Sequence, residues 1–218
     1  MPRSTPWKPV AALAALLCMA LASTFARAAG PEAYRLDPVH TRVVLAVDHA
    51  GFSSAVGTAS GSTGTLRYDP EDWSSASIEA EVPLARLDFG DDDWNRAVLG
   101  ARMLDVEDHP VARFTSTRIE ALDAERARVH GMLALHGVER EIELNVKLNA
   151  RKRHPMPPFR RTLGFSASTT LSRADFGLDA WKSMVGDTIE LHIEGEATRA
   201  RGADDDDDAS TAAGEPGA

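Results

Sequence analysis

The chain is predicted to be an all-β protein whose antiparallel strands close into a barrel or stack as a sandwich. Three observations lead there. Short segments alternate apolar and polar residues with period two along most of the chain. Turn-forming Gly, Asn, Asp and Pro residues punctuate them. Only one stretch of any length breaks that period with helical spacing.

The strand-like segments run in order. They are 32–36, 42–48 (RVVLAVD) and 63–68 after a Gly-rich turn. Segment 77–84 sets Ile78, Ala80 and Val82 against Glu79 and Glu81. Segment 112–119 places Phe114 and Ser116 on one face and Thr115, Thr117 and Ile119 on the other. Segment 128–135 alternates Val129, Gly131, Leu133 and Leu135. The cleanest, 141–148, sets Ile142, Leu144, Val146 and Leu148 against Glu141, Glu143, Asn145 and Lys147. Segments 163–171 and 188–198 carry Phe165, Ala167, Ile189, Leu191 and Ile193 in the same rhythm. These make eight or nine strands, with His136-Gly137 as a tight hairpin turn. The basic, Pro-rich 151–161 (RKRHPMPPFRR) is an exposed loop.

The exception is 91–104. Three acids precede Trp94, Val98 and Leu99 at helical spacing, and acids suit the positive end of a helix dipole. A short helix ending near Gly100 is expected, and a second helical turn at 173–178. An eight-stranded barrel has room to be filled by side chains or to hold one small ligand. Small inward residues (Ala80, Gly131, Ala167, Gly195) fit either a cavity or tight packing against large neighbours.

The ends differ from the middle. Arg3 and Lys8 precede an apolar run over 10–22 that ends at Ala26-Arg27-Ala28. This is the order of a cleavable secretory signal, 1–28, and the run is short for a permanent anchor, which needs ~20 residues. Cleavage removes the single Cys18, three of the 24 basic residues and none of the 33 acidic ones, leaving net −12. The mature chain then has no disulfide, and its acidity disfavours nucleic acid and anionic lipid surfaces as partners. Residues 202–218 (GADDDDDASTAAGEPGA) read as a disordered acidic tail. One domain, 29–201, lies between.

Five motifs in order resemble one family: YRLDPVHTRVVLAVDH from Tyr34, G-x-L-R-Y-D-P from Gly64, MLDVEDHPVARFTST from Met103, GMLALHGVEREIEL from Gly131 and LSRADFGLDAW from Leu171. Together they resemble the YceI family over roughly residues 34–200. The resemblance implies an extended, eight-stranded, lipocalin-like antiparallel barrel, with an apolar tunnel for a long isoprenoid or similar lipid. It also fits export to the periplasm. Thr41, Leu45 and Met103-Leu104 depart from the family's usual Ser, Phe and Phe pair; all three changes leave the tunnel apolar or keep the hydroxyl.

Candidate tunnel-lining residues are Val43, Leu45, Ile78, Phe114, Leu133, Leu144, Val146, Phe165 and Ile193. His40, Arg173 and Asp175 are candidates for a polar mouth, and Trp94 for a lid. Asp37 is expected to cap the D-P-x-H turn and His40 to tie strand ends together. Arg173 and Asp175 are expected to pair. The seven histidines show no metal-binding spacing, and no nucleophile elbow, phosphate loop or dinucleotide fingerprint is present. No catalytic residue, metal or cofactor is therefore expected.

The leading expectation is a soluble exported protein, without a stable membrane anchor after cleavage, that binds a lipid chain for transport, storage or sequestration. A homodimer is compatible with the sequence. One alternative is an enzyme acting on a small apolar substrate, which needs His40, His49, His136, Arg173 and Asp175 to converge in the tunnel. Another is a stress-related interaction protein with a solid, ligand-free barrel.

Overall fold

The computed structural model describes residues 30–201; the expected signal and acidic tail lie outside them. Eleven strands follow the chain: β1 (Glu32–Leu36), β2 (Arg42–His49), β3 (Ser53–Ser60), β4 (Thr63–Tyr68), β5 (Ser77–Pro83), β6 (Leu87–Asp88), β7 (Val111–Ala121), β8 (Arg126–Leu135), β9 (Val138–Arg153), β10 (Arg161–Ser172) and β11 (Val185–Arg199). One α-helix, α1 (Asp92–Leu99), stands between β6 and β7. All pairings are antiparallel.

The eleven strands fill eight positions around a closed barrel. β1 and β2 lie end to end along β11, with Tyr34 opposite Arg199 and Val43 opposite Ile193. β4 and β3 lie end to end beside them, and β5 and β6 beside those. The remaining five positions are the continuous strands β7 to β11. Breaks in the first three positions fall at 37–41, at Gly61-Ser62 and at the 3₁₀ turn Leu84–Arg86. Pairing of β1 with β11 closes the ring on that side; toward the other end β3 is paired on its outer side only at Thr58 and Ala59, by the short β6.

Two strands are absent from the sequence expectation. β3 (SSAVGTAS) has no large apolar residue except Val56, which points outward; its inner face is Ala55, Gly57 and Ala59. Phe89 fills the space over Gly57, where a Cβ would come within 2.9 Å of the ring. β6 is only two residues long. A third difference concerns β7. A β-bulge between Ser116 and Arg118 shifts the register, so Ile119 turns inward with Phe114 instead of facing away from it.

The helix forms as its sequence dictates. Asp91 caps it, accepting from the amides of Asp93 and Trp94 at 3.0 Å, and Gly100 closes its C-terminus. The second helical turn is the 3₁₀ segment Arg173–Phe176. His136 and Gly137 both take positive φ, as a two-residue hairpin turn requires. The β9–β10 hairpin carries the basic 151–161 loop, paired as far as Arg153 opposite Arg161. Among the described residues no helix is long and apolar enough to cross a membrane.

Candidate functional site: an apolar barrel cavity

Inward-facing residues of all eight positions leave a cavity of about 540 Å³. That volume lies within the ~300–1,000 Å³ of ordinary small-molecule sites. Val43, Leu45, Ile78, Phe114, Leu133, Leu144, Val146, Phe165 and Ile193 all line it. Seven of the nine are only half-buried, although they face inward, because their inner surface borders empty space; Phe114 and Leu144 are buried.

The small residues divide between the two roles that the sequence left open. A Cβ on Gly195 would sit 2.4 Å from the Phe165 ring, its direct cross-strand partner. One on Gly131 would sit 2.5 Å from the Phe114 ring. These glycines let two phenyl rings lie along the wall instead of projecting across the lumen. Ala80 and Ala167 instead border the cavity.

The two ends of the barrel are unlike. At one end Tyr34, Leu36, Tyr68, Leu163 and Ala197 form a buried cluster, with Trp73 set edge-on against Tyr68 at 5.1 Å. Glu32 covers it. Its carboxylate accepts from the Tyr34 hydroxyl at 2.5 Å, from Arg151 at 3.2 Å and from Arg161 at 2.9 Å. Burial pushes the Glu32 carboxyl up, but these donors and the charge of Arg199 outweigh it and hold the group below its ordinary value. The same burial and the Glu32 carboxylate push the Tyr34 phenol up.

At the other end the lining becomes exposed. Asp48, Trp94, Ala97, Trp181 and Met184 are the exposed lining residues, and all lie here, so this is the mouth. Helix α1 part-covers it. Trp94, the expected lid, packs against His49 at 5.2 Å and Phe89 at 6.1 Å between ring centres. Another part of the rim is the turn before β11, where the Met184 carbonyl accepts from the Ala50 amide at 2.7 Å.

The polar candidates are dispersed. His40 is exposed outside the barrel, bonded through Nδ1 to Asp37 at 2.9 Å. Asp37 also accepts from the amides of Val39 and His40, so it caps the turn. The hydrogen bond and charge of Asp37 raise the His40 pKa above its ordinary value. Asp175 is exposed on the outer surface and does not pair with Arg173, contrary to expectation, because Arg173 is turned inward and buried. The Arg173 guanidinium donates to the carbonyls of Gly186 (2.8 Å), Val185 (2.9 Å) and Leu178. It pins the loop before β11 to the barrel, and most of its donors are spent on backbone. His136 lies in its hairpin turn, 3.1 Å from the Phe176 carbonyl.

Of the five residues required for a catalytic cluster, only His49 and Arg173 touch the cavity. No group of three or more His, Cys, Asp or Glu placed to hold a metal occurs among the described residues. Trp181, which with Trp73 and Trp94 the sequence offered either as the lining of an apolar entrance or as ordinary packing, does line the cavity. Sequence reasoning missed Met184, and it placed His49 in a polar cluster rather than in the apolar wall. His49 was accessible to it: 43, 45, 47 and 49 share one strand face. Met184 lies in a loop with no period to read.

Comparison with known proteins agrees with this geometry. Residues 34–197 match the family model described as a YceI-like domain. A UPF0312 protein of Pseudomonas putida strain W619 is 28% identical over 168 residues, 76% of this chain and 86% of its own. One from Pseudomonas syringae pv. tomato is 29% identical over 154 residues, covering 71% and 79%. Among solved structures, Burkholderia cenocepacia BcnA superposes with TM-score 0.67 at 20% identity, over 75% of this chain and 99% of that one. A polyisoprenoid binding domain from Saccharophagus degradans gives 0.59 at 16%, over 78% and 99%. The structural likenesses establish the shared barrel, and the match over residues 34–197 assigns the sequence: the chain belongs to the YceI-like family.

Proposed function

We propose that this protein binds a long apolar molecule of the isoprenoid type within its barrel, and that it does so as an exported periplasmic carrier. The observation that carries the reading is the cavity: about 540 Å³, walled by aliphatic and aromatic side chains and open at one end. The Saccharophagus degradans relative in fold, a polyisoprenoid binding domain, supports the ligand class. The order of basic, apolar and small residues over 1–28 supports export. A lipid chain is nearly insoluble in water, so a soluble protein that shields it serves transport, storage or sequestration.

Burial of about ten CH₂ groups contributes ~8 kcal/mol gross. Ordering and translational losses offset much of that, which leaves affinity near micromolar or tighter. The energy is apolar, so binding varies little with salt. The dispersed polar candidates favour binding over catalysis, and the open interior favours it over a ligand-free solid barrel.

The test is native mass spectrometry and solvent extraction of freshly purified protein, with titration of an apolar fluorescent probe. A co-purified lipid or saturable uptake is expected, and Ala80→Phe, which projects a ring into the cavity, should abolish uptake without unfolding the barrel. No lipid and no uptake by the wild-type protein would overturn the reading.

A further inference from the structure

We infer that the mouth of the barrel is a docking surface for an uncharged or zwitterionic lipid bilayer, and that cargo is exchanged there directly with the membrane. The inference rests on the lipid-binding reading above and adds where the lipid enters and from what source. Its basis is a patch of exposed apolar side chains. Phe52 is 91% exposed at the tip of the β2–β3 hairpin, and Met184 is 52% exposed on the facing loop. The two segments are joined by the hydrogen bond from the Ala50 amide to Met184. Trp181 and Trp94, also exposed, complete the rim. An almost fully solvated Phe on a tight turn contributes nothing to the core of this chain. Large exposed apolar patches on a folded domain mark contact sites, and Trp at such a rim suits the boundary between water and lipid.

Two features select the occupant. The patch is continuous with the cavity: Trp94, Trp181 and Met184 belong both to its lining and to the exposed rim. An isoprenoid resides in the bilayer, since each CH₂ left in water costs ~0.8 kcal/mol. A mouth seated on lipid would let the chain slide between two apolar phases.

Charge excludes the competing surfaces. Asp48, Asp91, Asp92, Asp93 and Asp179 lie on the segments that form the rim and outnumber its cations, which are Arg96, paired with Asp93, Lys182, paired with Asp179, and Arg102. A second copy mounted mouth to mouth would set these carboxylates against themselves, and an anionic membrane would repel them. A neutral surface does neither.

The experiment uses purified protein whose N-terminus has been fixed by intact mass, floated with phosphatidylcholine vesicles and, separately, with phosphatidylglycerol vesicles. Co-flotation with phosphatidylcholine is expected, weaker with phosphatidylglycerol at low salt. Phe52→Ser should lower the floated fraction several-fold. Phe52 does not line the cavity, so the variant should keep the wild-type melting temperature and probe uptake in vesicle-free solution. Probe uptake without co-flotation would overturn the docking inference and leave the binding reading standing. Co-flotation without probe uptake would overturn the binding reading instead. Flotation unaffected by Phe52→Ser, or concentration-dependent dimerisation abolished by it, would also overturn the inference, the latter assigning the patch to a second copy.

Discussion

The two ends of the barrel are built from similar residue types and put to opposite uses. At the closed end Tyr34 and Tyr68 are buried in one cluster with Leu163 and Ala197, Trp73 sits edge-on against Tyr68, and Glu32 clamps the Tyr34 hydroxyl from above. At the mouth Trp94, Trp181 and Met184 are part of the wall yet remain exposed. The difference is in support. The closed end lies where β1, β4, β10 and β11 pair side by side, so Tyr34 and Tyr68 are carried by paired strands and have neighbours beside them. The mouth is made by a two-turn helix and a loop. One end thus stabilises the fold, and the other leaves access to the lumen.

Substitutions should separate these roles. Tyr34→Ala is expected to have the largest effect. It empties a fully buried site and removes one of the three donors to Glu32, at about 3–5 kcal/mol, seen as a large fall in Tm and in denaturant midpoint. Next is Gly131→Ala, whose Cβ would come within 2.5 Å of both Phe114 and the Thr115 carbonyl. Overpacking of this kind costs about 1–3 kcal/mol and should narrow the lumen, lowering probe uptake as well as Tm.

Glu32→Gln should follow at about 1–2 kcal/mol, since it removes charge-assisted bonds from Arg151 and Arg161. The Glu32 pKa is lowered in the folded protein. Its contribution is therefore full above the ordinary carboxylate range and is lost as pH falls through the folded value. Acid titration of stability should show this loss in the wild type and less of it in Glu32→Gln. The smallest stability effect is expected for Trp181→Ala at the mouth, within about 0.5 kcal/mol of zero. Stopped-flow mixing should nonetheless show altered rates of probe entry and release. A Trp181→Ala variant as unstable as Tyr34→Ala would break the contrast between the ends.

Most strands of the wall and the helix that carries Trp94 were legible in the sequence, and the way the rim folds together was not. Ile142, Leu144, Val146 and Leu148 alternate with charged or polar residues because one face of β9 meets the lumen and the other meets water, and that physical asymmetry is written residue by residue. β3 escaped notice because its inner face is Ala55, Gly57 and Ala59, with the bulk supplied by Phe89 from elsewhere in the chain. Ile119 was assigned to the wrong face because a bulge adds one residue without leaving a mark on composition. The meeting of His49 with Trp94, and of Arg173 with the carbonyls of Leu178, Val185 and Gly186, depends on how a helix and a loop fold back over the rim. No short-range pattern encodes either.

The closure of the ring has a kinetic consequence. Its last seam joins β1 to β11, the first strand of the described residues to the last. However early the β7–β10 hairpins form, the lumen stays open along one side until the final strand is available. Contacts so distant in sequence are slow to form, and until they do an apolar wall faces water. The same architecture that shelters a lipid in the finished molecule makes the unfinished one the species most exposed to aggregation.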